Sequence, residues 1–176
     1  MKRLLIFRHA KARPHDEKHD KQRALIDRGR NDAARMGAAL RERGYVPTLV
    51  LCSSARRTIE TWEHAAPAIG GHPRVEFLDA LYDASESTIL KCVHAVKDEA
   101  PILAYVGHNP GLERFARKLA RKPRDAEEKR RAVAMAEKFP TSAVAVLDFD
   151  VDAWMKIEAG GGVLCDFLTP SMLKTA

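Results

Sequence analysis

Three short apolar runs each end abruptly on residues capable of chemistry. Leu4–Phe7 gives way to Arg8 and His9. Leu49–Cys52 gives way to Ser53, Ser54 and then Arg57, and Ile102–Val106 to Gly107, His108 and Asn109. Guanidinium groups stay charged at any working pH and present a planar fork of donors that matches phosphate oxygens. Neutral imidazole is a good nucleophile near pH 7, and phosphorus held between two guanidiniums is poised for in-line attack. Brought together, Arg8, His9, Arg57 and His108 would form a phosphate site that passes a phosphoryl group through a phosphohistidine. Water would release it in a second step, with the cations stabilising charge on the equatorial oxygens in both transfers.

Convergence requires the three runs to be parallel strands, because open α/β sheets bind ligands beyond the carboxyl ends of such strands. The intervening sequence supplies helices for the crossovers. Ala33, Met36, Gly37 and Leu40 mark the apolar face of a helix capped by Asp27 and stopped by Gly44. Helical spacing returns over Ala55–Ile69, Ser85–Lys97 and Pro110–Arg121, the last opened by its early proline. Asp125–Lys138 is charged and alanine-rich and reads as a surface helix. Val75–Leu78, Ala143–Phe149 and Val163–Leu168 are further strands, while the polar stretch Lys11–Arg23 reads as a loop. The alternation predicts a three-layer α/β/α sandwich with a mostly parallel sheet, and the late strands without an intervening helix make one edge mixed. No repeat or linker divides the 176 residues, so residues 1–176 are expected to form a single domain.

Composition narrows the function classes. With 45% hydrophobic and 31% charged residues, the chain suits one compact soluble domain and excludes a collagen-like or wholly disordered one. The net charge of +6 invites an anionic partner, but only 6% of residues are aromatic, which leaves few platforms for stacked bases. No nucleic-acid motif is present, and no nucleic-acid partner is expected. Cys52, Cys92 and Cys165 are odd in number and widely spaced, which points to a reducing compartment. The apolar start, Met1–Phe7, is too short for a signal peptide or a membrane span, so a cytoplasmic location without membrane attachment is expected.

Other polar clusters read as structural. His15 and His19 stand in the order His–Asp–Glu–Lys–His, which is not a metalloprotease helix, and are assigned to a solvated loop. Cys52 and Arg57 are spaced one residue too closely for the phosphate loop of a cysteine phosphatase, so Cys52 reads as a buried strand end. The basic run Arg114–Arg131 is interleaved with Asp125, Glu127 and Glu128 and reads as a solvated helical face. Two arginines already supply the charge that a metal would contribute, and neither metal nor other cofactor is expected.

The ordered set of motifs resembles the histidine phosphatase superfamily, the phosphoglycerate-mutase-like proteins. Arg8–His9–Ala10–Lys11–Ala12 is similar to the opening of its small SixA-type phosphohistidine phosphatase branch, whereas the mutases more often have Gly after the His. Asp20 and Arg23–Ala24–Leu25 with Gly29 resemble that branch's Asp–x–x–Arg–Pro–Leu–Thr–x–x–Gly segment. Ser53–Thr61 resembles its Ser–x–x–x–Arg–Ala–x–Gln–Thr motif, and Val106–Gly111 its third motif. Phe139–Pro140–Thr141 and Leu168–Thr169–Pro170 resemble its C-terminal signatures, so the likeness spans nearly the whole chain. Ala24 stands where Pro is usual, and Glu60 where Gln is usual.

The resemblance implies a metal-independent phosphatase of phosphoglycerate-mutase-like fold. His9 would be the nucleophile, Arg8 and Arg57 the phosphate clamps, and His108 the second histidine on the phosphoryl group. The substrate would be a phosphorylated protein, such as a His-containing phosphotransfer domain. For the general acid of larger members there are three readings here: Asp20 in the loop after His9, which is otherwise a loop residue, Asp83 after the third strand, or no acid, which a good leaving group such as phosphohistidine would tolerate. Short length leaves little room for a capping insertion, so an open site and no mutase activity are expected. The alternatives are a phosphatase for small sugar or nucleotide phosphates, or a phosphate-binding module without turnover.

Overall fold

The computed structural model describes residues 1–97 and 100–173. Six strands form one sheet: β1 (Lys2–Arg8), β2 (Leu49–Ser53), β3 (Arg74–Leu78), β4 (Ile102–Gly107), β5 (Val144–Phe149) and β6 (Val163–Leu168). Their order is β3-β2-β4-β1-β5-β6. The first four run parallel, and β5 is antiparallel to both β1 and β6, which gives the mixed edge. Helices α1 (Asp27–Glu42), α2 (Arg56–Ile69), α3 (Glu86–His94), α4 (Gly111–Leu119) and α5 (Ala126–Glu137) cover the sheet.

Successive side chains of a strand point to opposite faces, so each strand feeds two cores. Leu4 and Ile6 of β1 pack with Ile89 of α3, Phe115 of α4 and Met135 of α5. Leu5 and Phe7 pack with Met36 and Leu40 of α1 and with Trp62 and Ile69 of α2. Burial on both faces explains why these strands read as unbroken apolar runs rather than alternating ones. The result is a three-layer α/β/α sandwich. Each such large side chain contributes roughly 1.5–3 kcal/mol by leaving water, and truncating Phe115 to Ala would cost about 3–5 kcal/mol with the cavity included. α1 and α2 approach closely because Gly37 has no side chain; a Cβ there would strike the backbone of Ala65.

Several boundaries differ from expectation, α4 for example ending at Leu119 rather than Arg121. Asp27 does not cap α1: Ile26 is the N-cap, and Asp27 lies inside the first turn, where its carboxylate accepts from Arg30 at 2.6 Å. The chain is steered into α1 by backbone instead, the Ile26 amide donating to the Lys11 carbonyl. Gly44 does follow the helix end, with φ of +73°. The loop after β1 is not wholly solvated, since Ala12 bridges Leu25 and residues Asp20–Gln22 form a short 3-10 turn. α3 stops at His94 rather than Lys97, with Val96 closing a tighter turn on Val93. No helix among the described residues is long and apolar enough to cross a membrane.

Candidate active site

Strand order sets the site. β2, β4 and β1 are neighbours, and the register places Arg8 level with Gly107 and Cys52 level with Val106, so the three carboxyl ends coincide. His9 is pinned on both sides: its amide donates to the Gly107 carbonyl at 3.0 Å, and its carbonyl accepts from the Ser142 amide at 3.1 Å. Arg57 enters from the first turn of α2. The Ala10 amide donates to Thr61 Oγ1 at 2.8 Å, and that hydroxyl donates to the Arg57 carbonyl at 2.6 Å, which ties the His9 segment to α2. The structure thereby brings Arg8, His9, Arg57 and His108 to the wall of one cleft of about 740 Å³.

Both histidines are held neutral. His9 Nδ1 donates to the Ala10 carbonyl at 2.8 Å. A carbonyl only accepts, so the proton resides on Nδ1 and the lone pair on Nε2. Burial, reinforced by Arg57 and Arg8, pushes the His9 imidazole down to about 3. The His108 ring lies 5.3 Å from that of His9, with Nε2 2.7 Å from Ser53 Oγ. Burial, then Arg57 and His9, holds it far below the usual histidine range.

The guanidiniums are oriented by backbone carbonyls and keep donors in reserve. Arg8 Nη1 donates to the Phe139 carbonyl at 2.7 Å, and Arg57 Nη1 to that of Asp20 at 2.8 Å. The Nε of each, together with His108 Nδ1, is buried without a hydrogen-bond partner among the described residues. Buried polar nitrogens of this kind are costly when they are left unsatisfied. Lys11, Arg13 and Arg23 also line the cleft and raise its cationic character.

Asp20 sits inside this network. Its carboxylate accepts from the Tyr82 hydroxyl at 2.5 Å, from Arg23 Nε at 2.8 Å, from His15 Nδ1 at 2.9 Å and from Arg57 Nη2 at 3.3 Å. Burial opposes its ionisation, but Tyr82, Arg57, His15 and Arg23 outweigh burial and hold the carboxyl well below its usual range. In this arrangement Asp20, a residue of the loop after β1, anchors Arg57 through both its carbonyl and its carboxylate. Asp83 lines the cleft, is exposed, and stands at φ +51°. Arg23 and Tyr82 are site residues to which sequence reasoning gives no role. Arg23 does carry a signal, its spacing from Asp20. Tyr82 reaches Asp20 across 62 positions of chain, and spacing cannot reveal that.

Other polar residues lie where structural roles are sufficient. Burial pushes the Cys52 thiol up to about 12, so it stays protonated and unreactive. His15 and His19 take separate partners, Asp20 and Asp16, and do not pair. Arg56 points outward and pairs with Glu60 at 2.7 Å. Glu60 uses its other oxygen to accept from the Leu25 amide at 2.7 Å, so the residue standing in place of Gln fastens the Asp20 loop to α2. Among the described residues no group of three or more His, Cys, Asp or Glu side chains could hold a metal ion.

Comparison with known proteins agrees with this geometry. A model of the histidine phosphatase superfamily (branch 1) matches residues 4–88. An uncharacterized protein of Mycobacterium tuberculosis is 34% identical over 167 residues, covering 93% of this chain and 99% of that protein. A Nakamurella multipartitia structure bearing the name phosphohistidine phosphatase SixA superposes with a TM-score of 0.82 at 26% identity, covering 96% of each chain. Its namesake from Agrobacterium tumefaciens gives 0.77 at 29% identity, covering 96% of this chain and 98% of that one. With a matching family model, a full-length relative and the sheet-end cluster of arginines and histidines, the chain belongs to the histidine phosphatase superfamily and is of its SixA type.

Proposed function

We propose that this protein is a metal-independent phosphatase that hydrolyses phosphohistidine in proteins through a covalent intermediate on His9. The observation that carries the reading is the His9 tautomer: Nδ1 is spent on the Ala10 carbonyl, and Nε2 is left with its lone pair in a cationic cleft. In the first step that lone pair attacks phosphorus and the bond from phosphorus to the substrate nitrogen breaks. The bonding electrons leave with the substrate imidazole. In the second step water attacks phosphorus, the bond to Nε2 breaks and its electrons return to His9, while the water proton passes to phosphate or solvent.

Arg8 and Arg57 bind the equatorial oxygens in both steps, and their fixed positions mean little reorganisation as charge develops. His108 lines the same cleft beside His9, its Nε2 held at 2.7 Å from Ser53 Oγ. A protonated phosphohistidine expels a neutral imidazole, so this leaving group needs no acid, consistent with an ionised Asp20. The site is already rich in fixed cations, and a metal ion would be repelled from it.

The test is hydrolysis of p-nitrophenyl phosphate and of a phosphohistidine protein in excess EDTA, comparing wild type with His9→Ala. Turnover of both that survives the chelator and vanishes in the variant supports the proposal. Activity that persists in His9→Ala contradicts it.

A further inference from the structure

Arg8 and Lys11 on the wall of the catalytic cleft have a second cavity beside them. These two residues and Thr141 also form one wall of that cavity of about 630 Å³, a groove that lies directly beside the cleft. α1, α5 and the C-terminal turn Pro170–Met172 enclose it. Its apolar lining includes buried Phe167 together with Pro140, Pro170 and Met172, the last 63% exposed. Charge on the lining is unbalanced: Arg8, Lys11, Arg28 and Lys138 face two acids, Asp32 and Glu137. Asp32 is already committed, accepting from Arg35 at 3.4 Å with Arg28 at 3.7 Å. Lys11 and Lys138 are exposed and have no carboxylate partner among the described residues.

We infer that this groove is a docking subsite for the protein substrate, taking a segment near the phosphorylated residue that carries acidic side chains and at least one apolar one. The inference rests on the phosphoprotein reading above and adds to it what the protein must present. An acidic segment matches the groove in sign, and an apolar side chain matches its Phe167, Pro140 and Pro170 lining. A small phosphoester that fills only the phosphoryl cleft makes none of these contacts. Such charged rims steer and select partners more than they add affinity, and their effect fades with salt.

The test uses two synthetic peptides phosphorylated on a single histidine with phosphoramidate. One carries a flank of Glu and Leu, the other a flank of Ser and Gly. Wild type is compared with the double variant Arg28→Gln, Lys138→Gln, which changes two exposed side chains and leaves Lys11 in place. Expected is a preference of about tenfold in kcat/KM for the acidic peptide. It should shrink at high ionic strength and collapse in the double variant, with p-nitrophenyl phosphate turnover unchanged. Equal use of both peptides by wild type, or an undiminished preference in the variant, would overturn the groove assignment and leave the phosphohistidine reading intact. If wild type cleaves p-nitrophenyl phosphate but neither peptide, the phosphohistidine reading fails and the groove assignment fails with it. A concentration-dependent dimer that dissociates in the variant would instead make the groove a contact between two copies of this chain, and would also overturn the assignment.

Discussion

Replacing Tyr82 by phenylalanine deletes one hydroxyl and keeps the ring. The contacts of that ring, 5.8 Å from the Arg57 guanidinium and edge-on to His108 at 5.7 Å, survive. What is lost is the 2.5 Å hydrogen bond that holds Asp20 Oδ2, the same oxygen that Arg57 Nη2 approaches at 3.3 Å. Hydrogen bonds to a charged group are worth about 1.5–3 kcal/mol when buried. The Asp20 side chain is 20% exposed, so the lower end applies, roughly 1–1.5 kcal/mol. If that energy fixes the Arg57 fork, kcat/KM on p-nitrophenyl phosphate falls by about five- to tenfold. The loss must travel through Arg57, so adding Tyr82→Phe to Arg57→Ala should cost almost nothing further. Steady-state kinetics on the four proteins of this double-mutant cycle give the coupling directly. An undiminished kcat/KM in Tyr82→Phe, or the same loss in the Arg57→Ala background, would refute the view that Tyr82 positions Arg57 through Asp20.

Two further outcomes rest on the same geometry. His9 stays neutral down to about 3 in the folded protein, whereas in the unfolded chain it takes a proton near pH 6.5. Below pH 6.5 the unfolded state therefore binds more protons, and stability falls with pH until the folded value is reached. His9 alone accounts for ~2 kcal/mol between pH 6.5 and 5, measurable by urea unfolding at the two pH values, and His9→Ala should flatten that slope. Equal slopes in wild type and variant would contradict the assignment of a buried neutral imidazole. Glu60→Gln keeps an oxygen for the Leu25 amide and surrenders only the pair with exposed Arg56, so unfolding free energy should change by under ~0.5 kcal/mol. A larger loss would mean that the charge of Glu60, and not only its carbonyl geometry, holds the Asp20 loop.

Much of this was legible in the sequence because burial on two faces leaves a plain mark. Leu4–Phe7, Leu49–Cys52 and Ile102–Val106 are continuous apolar runs since both cores draw on them, and the polar residues after each run are forced to one edge of the sheet. Arg8, His9, Arg57 and His108 could be grouped on that basis alone. The Asp20 network could not. It is built by contacts between the loop after β1, the start of α2 and the turn after β3, and only folding brings these together. Asp27 misled through local chemistry: it is a good capping residue, but the Ile26–Lys11 backbone bond sets the entry into α1 one residue earlier.

The central claim is that His9 carries the phosphoryl group. It is tested most directly by mixing the enzyme with a phosphohistidine protein, quenching in alkali within the first turnover, and mapping phosphate on the digested enzyme by mass spectrometry. The account predicts phosphate on His9, stable in alkali and lost in acid, and none in His9→Ala. Full turnover with no phosphate on His9 at any quench time, or phosphate on another residue, would contradict it.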